Sequence, residues 1–412
     1  MKISEFKKEK RDGRTRVSAQ VSWEDCGRGS HPLYFETEER FDSDLTPNPH
    51  AFLLAAVVPA MYYGEKRVGI EGEICPELLE GIAKASSVLR IWFPSKNCDV
   101  TIEAKTLSCT PSVKHCRRTG SFFSGGIDSF AILRENHIRY PKGHPRRISD
   151  ALLVYGLEQD NPLQFEYVKK SLGSVAEKTG MTFIPVSTDI YLHYRDEDAA
   201  DKFWFWIYEF GGAALAAVAH AFAPRFSSVA IGGNCDPNHL GPWGSHPILD
   251  PYFSSHDLVI RHEGVTSTRL DKSRVVAGWD EALRNIRVCN QYKRYTSESL
   301  NCGRCEKCLR TMLELYAIDA LERTPAFPYR EVTPEMVLKY GNIHNEFVEG
   351  FYLEILDLLK GKGRSDLVRA IEHKISEFRR NENKGHFLRR LRRIGEKLVF
   401  DPLREIPSPL AR

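Results

Sequence analysis

Ser121-Phe122-Phe123-Ser124-Gly125-Gly126-Ile127-Asp128-Ser129-Phe130 is the stretch on which the reading of this chain turns. Ser121–Phe123 reads as a short strand that runs into two consecutive glycines, and a helix begins just beyond, over Phe130–Asn136. Glycines let the backbone turn tightly and approach a ligand without side-chain obstruction. The N–H groups of the first helical turn have no partners inside the helix, and the helix dipole favours an anion in front of them. Ser124 and Ser129 add hydroxyl donors. Asp128 repels a phosphate unless a cation stands between them, which implies Mg²⁺. The Gly-Lys-Ser/Thr ending of a kinase or GTPase loop is absent. The plain alternative is a strand-to-helix turn that happens to use Gly-Gly.

Outward from this loop the pattern alternates between strand and helix. Ala151–Leu157 is an apolar run of the kind buried parallel strands show. Pro162–Lys178 places Phe165, Val168, Leu172 and Val175 on one helical face. Thr182–Ser187 reads as a strand, Phe203–Phe222 as a long apolar helix, and Ser228–Ile231 as a strand ending in Gly232-Gly233-Asn234. This order predicts an α/β fold, a doubly wound parallel sheet with helices on both faces, over 119–325. Residues 1–118 read as an N-terminal α+β accessory domain, with strands at Arg14–Trp23, Pro32–Glu38, Val68–Glu71 and Asp99–Lys105. Its helices fall at Ala51–Tyr63 and Pro76–Phe93. Residues 326–412 read as a helical, basic C-terminal extension with helices at Pro334–Leu338, Ile343–Leu359, Ser365–Phe378 and Phe387–Val399.

The bulk numbers fit this division. A chain of 412 residues exceeds one ordinary core. With 42% hydrophobic and 27% charged residues it has the composition of a soluble protein. A net charge of +3 gives no whole-molecule case for nucleic acid. Arg379–Lys397 carries eight Lys or Arg against two Glu, so local contact with RNA, DNA or an acidic partner stays open beside a plain solvated face. Apolar stretches such as Ala51–Met61 are too short to span a membrane, and Met1–Lys8 lacks the apolar core of a signal peptide. A cytoplasmic location is expected.

Of ten cysteines, six are scattered (26, 75, 98, 109, 116 and 235) and read as reduced thiols. Cys302, Cys305 and Cys308 form C-x₂-C-x₂-C, with Cys289 upstream. Four thiolates complete a tetrahedral shell for Zn²⁺ and leave no open position, so the expected role is structural. An iron–sulfur cluster and chance clustering are the competing readings.

Ser124–Ser129 resembles the pyrophosphate-binding loop of the N-type ATP pyrophosphatase (PP-loop) superfamily. The resemblance implies that ATP is bound by Ser124, Gly125, Gly126, Ile127, Asp128 and Ser129 and split to AMP and pyrophosphate. It places adenine and ribose near Tyr155-Gly156 and Ser187-Thr188. The loop followed by Cys289 and Asn301-Cys302-Gly303-Arg304-Cys305-Glu306-Lys307-Cys308-Leu309-Arg310 resembles 7-cyano-7-deazaguanine synthase. That family uses ATP and ammonia to turn the carboxylate of 7-carboxy-7-deazaguanine into an amide and then a nitrile. The resemblance covers roughly 119–320. The long segments on either side, and the wider gap after Cys289, depart from the housekeeping enzyme. They resemble a divergent branch found in bacterial anti-phage gene clusters, where the acceptor would be a protein amine. Two rival readings remain: a tRNA-base thiolation enzyme of the same superfamily, and a non-catalytic ATP-binding scaffold.

The segment 232–257 leaves a strand end, where α/β sheets bind ligands. Gly232, Gly233 and Asn234 are candidates to contact the nucleotide or the acid. Trp243 could stack on a nucleobase, and His246 or Asp250 could take a proton from the incoming amine. His239, Ser245 and His256 lie in the same segment. The plain reading is a surface loop whose histidines cap turns. Lys202, Lys293 and Arg294 are candidate stabilisers of departing pyrophosphate, and ordinary solvated charges otherwise. Phe203–Trp206 reads as helix packing.

Overall fold

A computed structural model describes residues 1–107, 117–157, 161–194, 204–234, 236–289, 291 and 299–399; beyond residue 382 it describes the backbone alone. Its strands are β1 (Lys2–Arg11), β2 (Arg14–Ser22), β3 (His31–Glu38), β4 (Arg67–Ile74) and β5 (Thr101–Thr106), then β6 (Arg118–Phe122), β7 (Ile148–Tyr155), β8 (Thr182–Thr188), β9 (Phe226–Gly232) and β10 (Val259–Glu263). All ten lie in one sheet, in the order β10-β9-β6-β7-β8-β3-β2-β1-β4-β5.

β10, β9, β6, β7 and β8 are mutually parallel. Apolar residues along these strands face two separate cores in alternation. Leu152 points to one core, while Ala151 and Leu153 point to the other. Helices Ile127–Arg139 and Pro162–Thr179 cover the second face, and Gly211–Ala221 covers the first. Chain order along the sheet reverses at β6, and the crossover from β6 to β7 and that from β8 to β9 run over opposite faces. That reversal is where α/β sheets open a crevice at their carboxyl ends.

The sheet continues into the N-terminal segment. β3 pairs antiparallel with β8 through Phe35↔Thr188 and Thr37↔Val186. Two side chains reinforce the seam: Thr37 Oγ1 donates to Pro185 O at 2.7 Å, and Thr188 Oγ1 donates to Tyr34 O at 2.7 Å. Helix Pro49–Tyr63 is buried on every side from Ala51 to Met61, because it lies between the N-terminal strands and helix Gly211–Ala221.

Several elements differ from the sequence expectation. The long apolar helix expected after Phe203 is present from residue 204, but it widens into a π-type turn, Trp206–Phe210, before helix Gly211–Ala221. Residue 212 packs where any side chain would fall inside the Asp250 carboxylate, and the wider turn before it accommodates that approach. Ile343–Leu359 is two helices, Glu346–Leu353 and Leu356–Gly361, whereas Ser365–Val399 is one continuous helix.

Candidate functional site

The glycine loop leaves the carboxyl end of β6 at the point where strand order reverses. Gly125 has φ +79°, a conformation that strains any residue with a Cβ. Gly126 caps helix Ile127–Arg139 with no side-chain hydrogen bond to the first turn. The Gly126 N–H points to Ser124 Oγ at 3.4 Å, and Ser129 Oγ donates to Gly126 O at 3.0 Å. Ile127 is fully buried and anchors the turn in the core. A side chain at Gly232 would stand 3.7 Å from the Ser129 nitrogen, so the end of β9 lies against this helix start.

Asp128 sits in the first helical turn, and its carboxylate is held by two cations. Arg269 Nη1 lies 3.1 Å from Oδ2, and Lys272 Nζ lies 3.2 Å from Oδ1. Burial opposes its charged form, but Arg269 and Lys272 outweigh burial and keep it below the ordinary carboxylate value. Lys272 is 1% exposed and also donates to Gly233 O at 2.7 Å. Arg269 continues to Glu314 Oε2 at 3.2 Å, which accepts from Ser273 Oγ at 2.8 Å. Both cations come from one helix, Arg269–Ala277, at positions i and i+3, hence on one face. Glu354 Oε2 accepts the Leu270 N–H at 2.8 Å, so the C-terminal helices pack directly against this cluster. The sequence reading missed Arg269, Lys272 and Glu314. Arg269 and Lys272 give no local sign that they meet a residue more than 140 positions earlier, nor Glu314 that it meets Arg269, 45 positions earlier.

Tyr155 ends β7, packs against Phe165 with ring centroids 4.9 Å apart, and pairs across the ladder with Ser187. Gly156 follows at φ +86° with its Cα against the Thr188 carbonyl. These residues therefore share the carboxyl edge with the loop. Asn234 is exposed at the end of β9.

The 236–250 segment is tied into the core by buried side-chain contacts. Asp250 is fully buried, and its carboxylate accepts from Ser245 Oγ at 2.7 Å, the His246 N–H at 3.3 Å and His262 Nδ1 at 2.8 Å. His246 is buried against Trp92, and its Nδ1 accepts the Ile248 N–H at 3.0 Å. Burial and the neighbouring His262 lower its pKa. His239 pairs with Asp236 at 2.9 Å, and Trp243 packs between Tyr208 and Phe347. His256 lies apart, beside Glu77. Lys202, Phe203, Lys293, Arg294, Cys109, Cys116 and Cys235 lie outside the described residues, as do the side chains of the basic stretch from residue 383. A surface groove of about 650 Å³ lined by Glu38, Leu163, Tyr167 and Phe183 contains none of these site residues.

Cys289, Cys302, Cys305 and Cys308 converge, with all four sulfurs within 4.8 Å of one another. Cys302 and Cys308 are 3.9 Å apart, and Cys305 and Cys289 are 4.0 Å apart. Tetrahedral ligands 2.3 Å from one zinc ion stand roughly 3.8 Å apart, so the group can hold a single metal ion such as zinc. Thiolates around an iron–sulfur cube bind different irons and must spread farther, which this spacing does not provide. Cys302, Cys305 and Cys308 hydrogen-bond to Cys289 and hold its thiol well below the usual range, while contact with Cys289 pushes Cys305 and Cys308 up. A bound cation removes that conflict by deprotonating all four.

The metal corner is tied to the loop. The Arg287 N–H donates to Gly125 O at 2.7 Å. Asn301, 1% exposed, accepts the Val288 and Cys289 N–H groups at 2.8 and 3.1 Å and donates to Ile286 O and Ala326 O at 2.8 and 2.9 Å.

No family model matches the chain, and neither a curated protein nor a solved structure matches it. Among the described residues no helix is long and apolar enough to cross a membrane.

Proposed function

We propose that the chain is an ATP-dependent, AMP- and pyrophosphate-forming enzyme that activates a carboxylate and passes it to an amine. The observation that carries this reading is the Gly125-Gly126 turn at the strand-order reversal, with Lys272 and Arg269 buried against the first turn of its helix. Loop N–H groups and the helix dipole suit a triphosphate. The two cations offset charge on a departing pyrophosphate. The carboxylate oxygen attacks the α-phosphorus, and the amine then displaces AMP from the acyl adenylate. The nucleotide lies over β7 and β8, beside Tyr155, Gly156 and Ser187, and the acid lies over β9 and β10.

The resemblance of Ser124–Ser129 and of the four-cysteine segment to 7-cyano-7-deazaguanine synthase supports 7-carboxy-7-deazaguanine as the acid. It also supports zinc as the metal, with Cys289, Cys302, Cys305 and Cys308 as ligands. Ammonia or a protein amine is the acceptor, and anti-phage defence is the setting that the flanking segments suggest. Asp128 is engaged by two side-chain cations, so we assign Mg²⁺ to the substrate complex, MgATP, rather than to a resident site.

The test incubates protein, MgATP, the acid and ammonia. AMP plus pyrophosphate is the expected product pair. ADP plus phosphate would refute the mechanism, and tight ATP binding without turnover would favour a scaffold.

A further inference from the structure

We infer that His262, a residue the glycine loop does not touch, is the base that accepts the proton of the incoming amine. This rests on the adenylation reading above. His262 lies on β10, and its side chain is 4% exposed. Its Nδ1 stands 2.8 Å from Asp250 Oδ2. A carboxylate accepts, so Nδ1 carries the proton and Nε2 of the neutral ring keeps its lone pair. Among the described residues Nε2 is buried with no hydrogen-bond partner.

The surroundings fix where that lone pair points. Nε2 abuts Gly233, where any side chain would collide with it. The Gly233 carbonyl accepts from Lys272 at 2.7 Å, and Lys272 pairs with Asp128 in the loop helix. A single glycine thus separates the unpaired nitrogen from the cation proposed to face the phosphates. Asp250 is a rigid orienter, because Ser245 Oγ and the His246 N–H fill its other positions. His246 is less suited to the task, since its Nδ1 is already occupied by a backbone N–H. Asp250, His246 and, across Gly233, Lys272 are ionisable groups near the ring.

In the transfer step the amine nitrogen attacks the acyl carbon. The new C–N bond forms, the C–O bond to phosphate breaks, and AMP leaves with that electron pair. One N–H proton passes to Nε2, which the Gly233 backbone covers in this structure and which that strand end must uncover as substrate binds. Adenylation moves no proton from an amine, so the two half-reactions should separate.

The experiment uses the full chain with zinc bound and measures acid-dependent ATP–pyrophosphate exchange beside AMP-releasing transfer to ammonia. A removed general base costs about 10²–10⁴-fold. His262→Gln is expected to lose transfer to ammonia by about 100-fold or more, while exchange falls by a much smaller factor. Transfer to hydroxylamine, a stronger nucleophile and weaker base whose adduct gives up its proton readily to water, should fall far less. Asp250→Asn should show the same split more weakly. Parallel loss of exchange and of both transfers would mark a structural role and overturn the assignment, as would undiminished transfer to ammonia. Absence of exchange in the wild-type protein would instead sink the adenylation reading, and this assignment with it.

Discussion

Asp128→Asn separates two roles for the one carboxylate of the glycine loop. That carboxylate neutralises Lys272 and Arg269, whose side chains are 2% and 9% exposed. At separations of 3.1 and 3.2 Å each pair is worth roughly 5 kcal/mol of attraction at an effective dielectric near 20. Asn keeps one oxygen acceptor, and Glu314 still pairs with Arg269. The Asp128 side chain is 22% exposed, so water recovers part of the loss. We therefore expect a destabilisation of about 3 kcal/mol, the low end for an uncompensated buried charge. The assay is guanidinium unfolding with and without MgATP. If Asp128 is a counter-ion that stands in for phosphate, the nucleotide supplies the missing negative charge, and MgATP should protect the variant at least as much as the wild type. If Asp128 is instead needed to hold Mg²⁺, protection by MgATP disappears in the variant. A loss below about 1 kcal/mol would refute the electrostatic argument itself.

Asn301→Ala removes four buried hydrogen bonds, a loss of about 4 kcal/mol at about 1 kcal/mol each. Faster zinc release to a chromogenic chelator should accompany it, and unchanged release would count against the link between Asn301 and the metal corner. Gly156→Ala combines φ +86° with a backbone carbonyl where the new methyl must go. We expect ATP affinity to fall at least tenfold, by equilibrium dialysis, as the ends of β7 and β8 shift; normal affinity would remove them from the nucleotide site. His50 and His220 stand ring to ring, 5.5 Å apart, where helix Pro49–Tyr63 meets Gly211–Ala221. Burial lowers their pKa values to about 4 and about 3. The unfolded chain therefore binds their protons first as pH falls below about 6.5, and stability complete at pH 7 is lost progressively toward pH 3 to 4. Between pH 7 and pH 5 the wild type should lose about 4 kcal/mol more than a His50→Gln, His220→Gln double variant. Parallel losses in urea titrations would refute this.

What the sequence made legible was local. The strand-glycine-helix unit at 121–136 and the C-x₂-C-x₂-C segment signal through neighbours along the chain, and so do the apolar strands at 151–157 and 182–187. β1 was missed although its turn is a strong signal: Asp12-Gly13 joins β1 to β2, both residues at positive φ. The Lys and Glu residues that leave most of β1 solvent-exposed hid the alternation expected of a strand. β10 was missed because Val-Ile-Arg-His-Glu looks polar; its charged residues lie at the carboxyl rim, where a buried strand meets a site. The seam between β3 and β8 depends on register between segments some 150 residues apart and leaves no periodic trace. Lys272, Arg269 and His262 were invisible for the same reason. Each meets its partner through the order of strands in the sheet, not through spacing.

The metal corner and the glycine loop are mechanically one unit, which accounts for a closed four-cysteine group in this fold. Ile286–Cys289 is neither helix nor strand, yet its Arg287 N–H holds the Gly125 carbonyl at the tightest point of the loop. An irregular segment costs about 1–2 kcal/mol per residue to fix, and one hydrogen bond returns about 1. Left alone, Ile286–Cys289 would not hold the loop in place. Asn301 clamps it from one side, and Cys289 is shared with three sulfurs on a turn that begins helix Glu306–Ala317. Binding of a structural zinc ion, on the order of 10 kcal/mol or more, exceeds the ordering cost of those four residues. A metal held by the four cysteines therefore acts on the glycine loop without touching it. Chelation should weaken ATP binding at temperatures where the sheet is still folded. ATP affinity that survives metal removal until global unfolding would show that the loop holds its shape by itself.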